Sequence, residues 1–178
     1  MTSLVLVEAD AAGVKQPSRS AIAAAAKLGE VHALVLGDAA AAAAAAKLPG
    51  IAKVIHSADD ALAHALAEPA AALLVALAPA YSHLLAATTA VGKNVMPRAA
   101  ALLDVQPISD IAGVVDTDTF VRPIYAGNGM ATVKSSDAKL VITVRAASFD
   151  PVAAEGGNAA IETVSIPDLP SVSKFISA

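Results

Sequence analysis

The stretch from Val31 to Ser57 decides the fold class, and it reads VHALVLGDAAAAAAAAKLPGIAKVIHS. A run rich in branched apolar residues predicts a strand, and the alanine run after Asp38 predicts a helix, because aspartate is a favoured N-cap. The run KVIHS then predicts a second strand. This strand, helix, strand order is typical of the parallel βαβ unit.

The same order continues on both sides of this stretch. LVLV at Leu4–Val7 predicts a first strand, and SAIAAAAKLG at Ser20–Gly29 predicts a helix closed by its glycine. After Ser57, a helix is predicted over Ala58–Glu68 and a fourth, fully apolar strand over Ala71–Leu77. Continuous apolar strands favour a parallel sheet that is covered on both faces.

The pattern changes in the second half of the chain. Residues 81–103 have a helical pattern that GKNVMP interrupts, which predicts two helices joined by an elbow with Asn94 as the N-cap of the second. Strands joined by turns are expected afterwards, in IAGVVD, TFVRPIYAG, MATVKS and LVITVR. The predicted fold is α/β, with a Rossmann-like, mostly parallel sheet flanked by helices and an antiparallel strand extension near the C-terminal part. Residues 1–150 are expected to form this domain, and the glycine- and proline-containing segment 151–178 an extended arm or linker.

Composition excludes several functional classes. The chain has 178 residues, which suits one domain, and a net charge of −4 with no basic stripe, which argues against a nucleic-acid partner. It contains no cysteine, so disulfides and thiolate metal sites are excluded. Every apolar run is shorter than the roughly 20 residues of a spanning helix, so no membrane insertion is expected. A cytoplasmic protein is predicted, or a mitochondrial matrix protein only if a transit peptide was removed.

No catalytic or metal-binding motif stands out. The loop after the first strand, EADAAGVKQPS, has one glycine and lacks the G-x-G-x-x-G that dinucleotide binding needs. Gly92–Asn94 reads GKN, but it lacks the remaining residues of a P-loop. The histidines have no ligand-type spacing, and no serine lies in G-x-S-x-G. The sequence therefore predicts no catalytic, metal or cofactor-binding residues in this chain.

The Gly-Asn-Gly sequence at Gly127–Gly129 has two readings, a phosphate-binding loop or a hairpin turn. A phosphate loop leads into a helix N-terminus, whereas MATVKS is strand-like. A hairpin turn is therefore predicted, with Asn128 and the glycines at positive φ. Arg122 and Tyr125 would then lie on a strand, where they suit a subunit contact as well as a solvated face.

Four motifs in a fixed order carry a resemblance to a known family. They are G-K-N-x-x-P-R from Gly92, I-S-D-I from Ile108, F-x-R-x-I-Y-A-G-N from Phe120 and V-R-x-x-S-F from Val144, with GGNAAIE behind them. Together with LVLVEAD at the start, they cover most of the chain to about Glu162. The chain resembles the N-terminal domain of the alpha subunit of electron-transfer flavoproteins.

The resemblance implies an electron carrier rather than an enzyme. Family members are heterodimers of alpha and beta subunits that pass electrons from flavin dehydrogenases, such as the acyl-CoA dehydrogenases of fatty acid oxidation, to a quinone oxidoreductase. Their FAD is held mainly by a second alpha-subunit domain, and an AMP lies in the beta subunit. This sequence ends where that FAD-binding domain is expected, so no FAD-binding residue is assigned.

The resemblance also implies a set of interface or structural residues. They lie in the family motifs and are assigned to hydrogen bonding within the domain and to the face toward the beta subunit: Lys93, Asn94, Arg98, Ser109, Asp110, Arg122, Tyr125, Asn128 and Arg145. Two other functions remain open. One is a free-standing small-ligand or nucleotide-binding module with no redox role, using the loops after LVLVE and LVAL, and the other is an oligomeric scaffold.

Overall fold

The computed structural model describes residues 1–165 and 168–177 of the chain. These described residues form twelve strands and four α-helices. In chain order they are β1 (Thr2–Val7), β2 (Ala9–Asp10), β3 (Gly13–Val14), α1 (Gln16–Ala25), β4 (Glu30–Leu36), α2 (Ala39–Ala46), β5 (Ile51–Ser57), α3 (Ala67–Leu77), β6 (His83–Ala87), α4 (Ala90–Leu102), β7 (Pro107–Ile111), β8 (Gly113–Asp116), β9 (Thr119–Ile124), β10 (Gly129–Lys134), β11 (Leu140–Val144) and β12 (Ala160–Thr163).

Seven strands form one parallel sheet in the order β12-β5-β4-β1-β6-β11-β7. Successive side chains of a strand point to opposite faces, and β1 shows the result: Val5 and Val7 pack with α1 and α2, whereas Leu4 and Leu6 pack with α3 and α4. The sheet is thus covered on both faces, as the apolar strands predicted. The Rossmann-like α/β fold is confirmed.

The antiparallel extension is a separate three-stranded sheet in the order β10-β9-β8. Phe120 of β9 is fully buried in the main core, and Val114 and Val133 on the neighbouring strands pack against that core. LVITVR, expected to join this extension, instead forms β11 inside the parallel sheet between β6 and β7. All five residues of β11 are buried, which suits a central parallel strand.

The elements expected between residues 58 and 87 are mostly wrong, whereas the helical pattern expected after them forms α4. The expected helix 58–68 is only a 3-10 turn at Asp60–Leu62, and the expected strand 71–77 belongs to α3. The fourth parallel strand is instead β6, within the stretch that was read as helical. A short apolar run has no period that separates a buried strand from a buried helix, so neighbouring elements decide its conformation.

The predicted elbow at GKNVMP does not exist, because α4 runs unbroken from Ala90 to Leu102. Pro97 lies inside this helix and lacks the N–H that would bond to the carbonyl of Lys93. Both residues are exposed, so water can reach that carbonyl. Thr89, not Asn94, is the N-cap, and its hydroxyl accepts a hydrogen bond from the Gly92 N–H at 3.1 Å.

The segment 151–178 is extended, but part of it belongs to the main sheet. β12 pairs in parallel with β5, and Lys53 donates to Glu162 at 2.8 Å across that pair. Gly157 approaches so closely that a Cβ there would lie 2.1 Å from the Leu48 carbonyl oxygen. Residues 166, 167 and 178 of the expected arm lie outside the described residues. The division into a domain 1–150 and a linker 151–178 stays a prediction.

Candidate functional site

Four of the nine predicted residues meet in one polar pocket of about 460 Å³, here called the motif pocket. Thr88 follows β6, Asp110 lies near the end of β7 and Arg145 follows β11, so the pocket lies at the carboxyl edge of three adjacent parallel strands. Doubly wound sheets place their ligand sites at this edge. The lining residues are Thr88, Lys93, Pro97, Ser109, Asp110, Thr143, Arg145 and Ala146.

A β-bulge aims the β7 side chains into this pocket. Ile108 pairs with Ile142 and Ile111 pairs with Val144, so Thr143 alone opposes both Ser109 and Asp110. Bulges of this kind redirect side chains and are over-represented beside functional sites. Asp110 adopts a positive φ of 60°, and its N–H donates to the Thr143 hydroxyl at 2.8 Å. Aspartate tolerates this left-handed conformation better than most residues.

Arg145 holds the turned Asp110 in place. Its Nε and Nη2 donate to one oxygen, Oδ2, of the carboxylate at 2.9 and 2.7 Å, and its own N–H donates to the Ile111 carbonyl at 2.9 Å. The Arg145 side chain is 45% exposed and the Asp110 side chain 25%. The pair is therefore partly solvated and joins the ends of β11 and β7.

The close contact between the start of α4 and the end of β6 explains why the GKN motif begins with a glycine. A Cβ on Gly92 would lie 2.0 Å from the Ala87 carbonyl oxygen, so only glycine lets α4 approach β6 this closely. The Thr89 hydroxyl also donates to the Glu8 carboxylate at the end of β1. Asn94 and Arg98 are exposed on α4 and do not line the motif pocket.

The remaining predicted residues, Arg122, Tyr125 and Asn128, lie in the β9–β10 hairpin. The predicted hairpin is confirmed, but its positive φ angles belong to Tyr125, Ala126 and Gly127, whereas Asn128 is right-handed with φ −76°. The turn begins at Tyr125, two residues before Gly127, so Tyr125 lies at the tip of the hairpin and not on a strand as expected, and it is 82% exposed.

The hairpin has an apolar outer face, here called the hairpin face. Cross-strand partners lie on the same side of a sheet, and Met130 pairs with Pro123 while Thr132 pairs with Val121, all on the side opposite to the buried Phe120. The hairpin face comprises Val121, Pro123, Met130 and Thr132, with the Thr119–Lys134 pair at its base and the turn residue Tyr125 at its tip.

Arg122 does not lie on the hairpin face. It alternates with Val121 and pairs with Ala131, so it shares the inward side with Phe120. Its Nε is buried and has no hydrogen-bond partner among the residues described. At the base of the hairpin, hydrogen bonds from Thr119 and Lys134 hold the pKa of the Asp118 carboxyl below its usual value.

The crevice at the end of β1, where the strand order reverses, was the expected site of the alternative nucleotide-binding function. It is a cavity of about 230 Å³ lined by Glu8, Lys15 and His64 among others. Glu8 places a carboxylate at the strand end where a Rossmann fold receives a pyrophosphate. LVAL, whose following loop was also expected in the crevice, is the end of α3, so that loop leads into the start of β6 at the opposite edge of the sheet. The crevice thus holds one anionic side chain, Glu8, and one cationic side chain, Lys15.

The structure brings together residues that sequence reasoning missed. Thr88 and Thr143 also line the motif pocket. Thr88 lies shortly before the motif that begins at Gly92, and Thr143 directly precedes the motif that begins at Val144. The tail also docks on the domain, against the segment that follows the carboxyl end of β5: Phe175 stacks on His64 with 3.7 Å between ring centroids, and Ser173 donates to Glu68 at 2.8 Å. This hydrogen bond lowers the pKa of Glu68. Apolar residues spaced irregularly in the tail gave no periodic signal of docking.

Two further properties concern the part of the chain that the structure describes. No group of three or more histidine, cysteine or acidic residues there is placed to hold a metal ion. None of its helices is both long and apolar enough to cross a bilayer.

Comparisons with known proteins give the family. The electron transfer flavoprotein domain model matches residues 3–169. The alpha subunit of Pseudomonas aeruginosa electron transfer flavoprotein is 50% identical over 99% of this chain and 58% of its own length. That of Paracoccus denitrificans is 51% identical over 92% of this chain and 53% of its own length. A probable mitochondrial alpha subunit of Cryptococcus neoformans is 41% identical over 99% and 54%.

The chain thus spans a little over half the length of the curated relatives it matches. The family model covers almost the whole parallel sheet, the hairpin and the motif pocket. The chain belongs to the electron transfer flavoprotein family and corresponds to the N-terminal domain of its alpha subunit.

Proposed function

We propose that this domain is the platform of an electron transfer flavoprotein alpha subunit and works as part of an electron carrier, not as an enzyme. The observation that carries the proposal is the identity of 50% with an alpha subunit over 99% of the chain. In the proposed assembly, FAD carries the electrons and is held mainly outside these residues. The loop after β1 has one glycine and no dinucleotide-binding motif, which supports this placement.

The proposed partner is the beta subunit, which holds AMP and forms a heterodimer with the alpha subunit. The complex accepts electrons from flavin dehydrogenases, such as those of fatty acid oxidation, and delivers them to a quinone oxidoreductase. The proposed compartment is the cytoplasm, as suits a protein with bacterial relatives. No contact with nucleic acid or insertion into a membrane is part of this function.

The hairpin face is the proposed contact with the beta subunit. Tyr125 and Met130 are 82% and 58% exposed, and aromatic residues and methionine are enriched at protein interfaces. Arg122 was the sequence-based choice for this contact, but its inward direction makes Arg122→Glu a test of folding as much as of binding. Tyr125 is the cleaner probe because its removal leaves the core intact.

The test is calorimetric titration of the purified beta subunit into this chain and its variants. Tyr125→Ala is expected to weaken association about tenfold, since truncation of an interface hot spot costs more than about 1 kcal/mol. Leu102→Ala is the matched control, because Leu102 is 56% exposed at the end of α4 and belongs to neither strand of the hairpin. Unchanged affinity of Tyr125→Ala would remove the hairpin tip from the interface, and absence of binding by the unmodified chain would reject the platform role.

A further inference from the structure

We propose that the motif pocket binds one carboxylate group. The pocket already contains two cationic side chains, Lys93 and Arg145, and one anionic side chain, Asp110. A bound carboxylate would bring two positive charges and two negative charges together. A phosphate dianion would leave an excess of negative charge, so the charge balance selects a singly charged acid.

The donors for such a group are present beside the ion pair. Arg145 uses Nε and one N–H of Nη2 on the same Asp110 oxygen, and a guanidinium carries five N–H donors in all. Its side chain lines the pocket and is 45% exposed, so the remaining donors are accessible to a ligand. Lys93 adds a flexible ammonium from the first turns of α4.

The hydroxyl group of Thr88 also supports a ligand in the motif pocket, independently of the charges. It lines the pocket, and its hydroxyl oxygen is buried without a hydrogen-bond partner among the described residues. A buried hydroxyl left unpaired destabilises the folded state, because it has lost its hydrogen bonds to water. A carboxylate in the pocket would accept the hydroxyl proton and remove that penalty, which gives a physical reason for a threonine at this position.

The bulge and the positive φ of Asp110 belong to the same arrangement. They turn Asp110 toward Arg145, which orients the guanidinium across the strand ends instead of letting it extend into solvent. Asp110 thus positions Arg145, while Lys93, Arg145 and Thr88 would contact the ligand. The carboxylate can come from a free organic acid or from an acidic side chain of a partner protein. The proposal concerns this pocket alone and does not depend on the electron-transfer role.

The test is an NMR titration of the isotope-labelled chain with sodium acetate, against sodium chloride at equal ionic strength. The amide signals of Thr88, Asp110 and Arg145 are expected to shift saturably with acetate and not with chloride. Lys93→Gln should abolish the saturable shift, whereas Lys27→Gln, an exposed lysine beyond α1, should leave it unchanged. Equal, non-saturating shifts with both salts, or equal acetate binding by Lys93→Gln, would overturn the proposal.

Thr88→Val provides a second variant that is expected to fold. It replaces an unpaired buried hydroxyl with a methyl group of similar shape, so its melting temperature should match or exceed that of the unmodified chain. Its affinity for acetate should nevertheless fall several-fold. Unchanged acetate affinity in this variant would contradict the assigned role of the hydroxyl.

The source of the carboxylate is found by repeating the acetate titration with the beta subunit bound. If the signals have already moved on complex formation and acetate adds nothing, a partner side chain supplies the group. If acetate still shifts them saturably, the pocket takes a free acid. Pocket signals that respond to neither the beta subunit nor acetate would reject a carboxylate site.

Discussion

Arg145 donates two hydrogen bonds to the same carboxylate oxygen of Asp110, from Nε at 2.9 Å and from Nη2 at 2.7 Å. This ion pair links the end of β11 to the bulge in β7. The bulge places Asp110 at φ 60°, a conformation that few non-glycine residues hold without support. The ion pair and the Thr143 hydroxyl provide that support from the neighbouring strand. Two residues from separate family motifs are therefore parts of one local structure.

Replacement of Asp110 should show how much this structure contributes to stability. Asp110→Val removes the partly exposed ion pair, worth up to about 1 kcal/mol, and places a β-branched residue at positive φ, which costs about another 1–2 kcal/mol. Asp110→Asn keeps the tolerance for positive φ and is the matched control. Urea unfolding is expected to show a loss of about 2 kcal/mol for valine and less than half of that for asparagine. Equal stability of the two variants would show that the backbone conformation is not strained.

Gly92→Ala tests the close contact between α4 and β6. In an exposed helix this change would stabilise by up to about 1 kcal/mol, because alanine is the better helix former. Here the new Cβ would lie 2.0 Å from the Ala87 carbonyl, so α4 must move away from the sheet. A loss of more than about 3 kcal/mol is expected by urea unfolding.

Asn94→Ala, on the exposed side of the same helix, is the control for that experiment. It should change stability by less than about 0.5 kcal/mol, because surface substitutions away from caps have small effects. A loss near 1 kcal/mol would instead indicate that Asn94 acts as an N-cap, as the sequence alone suggested.

Thr89→Ala removes the N-cap of α4. The loss of a threonine cap typically costs about 1 kcal/mol, and here Glu8 also loses its hydroxyl donor. A thermal unfolding experiment should show destabilisation of about 1–2 kcal/mol, and Thr89→Ser should recover most of it because serine keeps the hydroxyl. If serine and alanine were equally destabilising, the threonine methyl group would be responsible.

His83 should make stability depend on pH near neutrality. Burial is the main cause that lowers the pKa of His83 from its ordinary 6.5. The hydrogen bond from the ring to the Thr117 carbonyl, at 2.7 Å, acts in the opposite direction and raises that pKa. Since the folded state binds the proton less readily than the unfolded state, this contribution is complete above pH 6.5 and is lost as the pH falls toward the lowered pKa. The slope cannot exceed about 1.4 kcal/mol per pH unit for one proton.

The measurement for His83 is urea unfolding at several pH values between 7.5 and about 5, above the range where carboxylates titrate. His83→Gln can still donate to Thr117 but does not titrate, so its stability should vary less over this window. His64→Gln, at an exposed histidine, is the control. An identical pH profile for His83→Gln and the unmodified chain would show that another group is responsible.

The sequence predicted well where local pattern and tertiary context agree. Asp38 caps α2 as expected, accepting from the Ala40 N–H at 2.8 Å, and the runs at β1, β4 and β5 are strands. It failed for 71–77 and 83–87, because a short run of alanine and leucine suits a buried helix and a buried strand equally. Which one forms depends on the neighbours it packs against.

The motif pocket was predictable only in part. The recognised motifs include Lys93, Ser109, Asp110 and Arg145, but nothing in their spacing shows that they meet, because the meeting depends on β11 inserting between β6 and β7. Thr88 lies outside every motif, and its unpaired hydroxyl is visible only once the chain is folded. The inward direction of Arg122 likewise follows from strand register, which the sequence did not settle.

The final prediction concerns the cofactors of the proposed complex. Adding FAD or AMP should leave the melting temperature of this chain unshifted, because a ligand stabilises only the protein that binds it. The physical reason is the loop after β1, which lacks the glycines that let backbone N–H groups approach a pyrophosphate. The beta subunit, tested with AMP under the same conditions, is the positive control and should be stabilised. A clear rise in the melting temperature of this chain with FAD or AMP would place a nucleotide site within these residues. If the hairpin variant Tyr125→Ala showed the same rise, the ligand-binding alternative would be favoured over the platform.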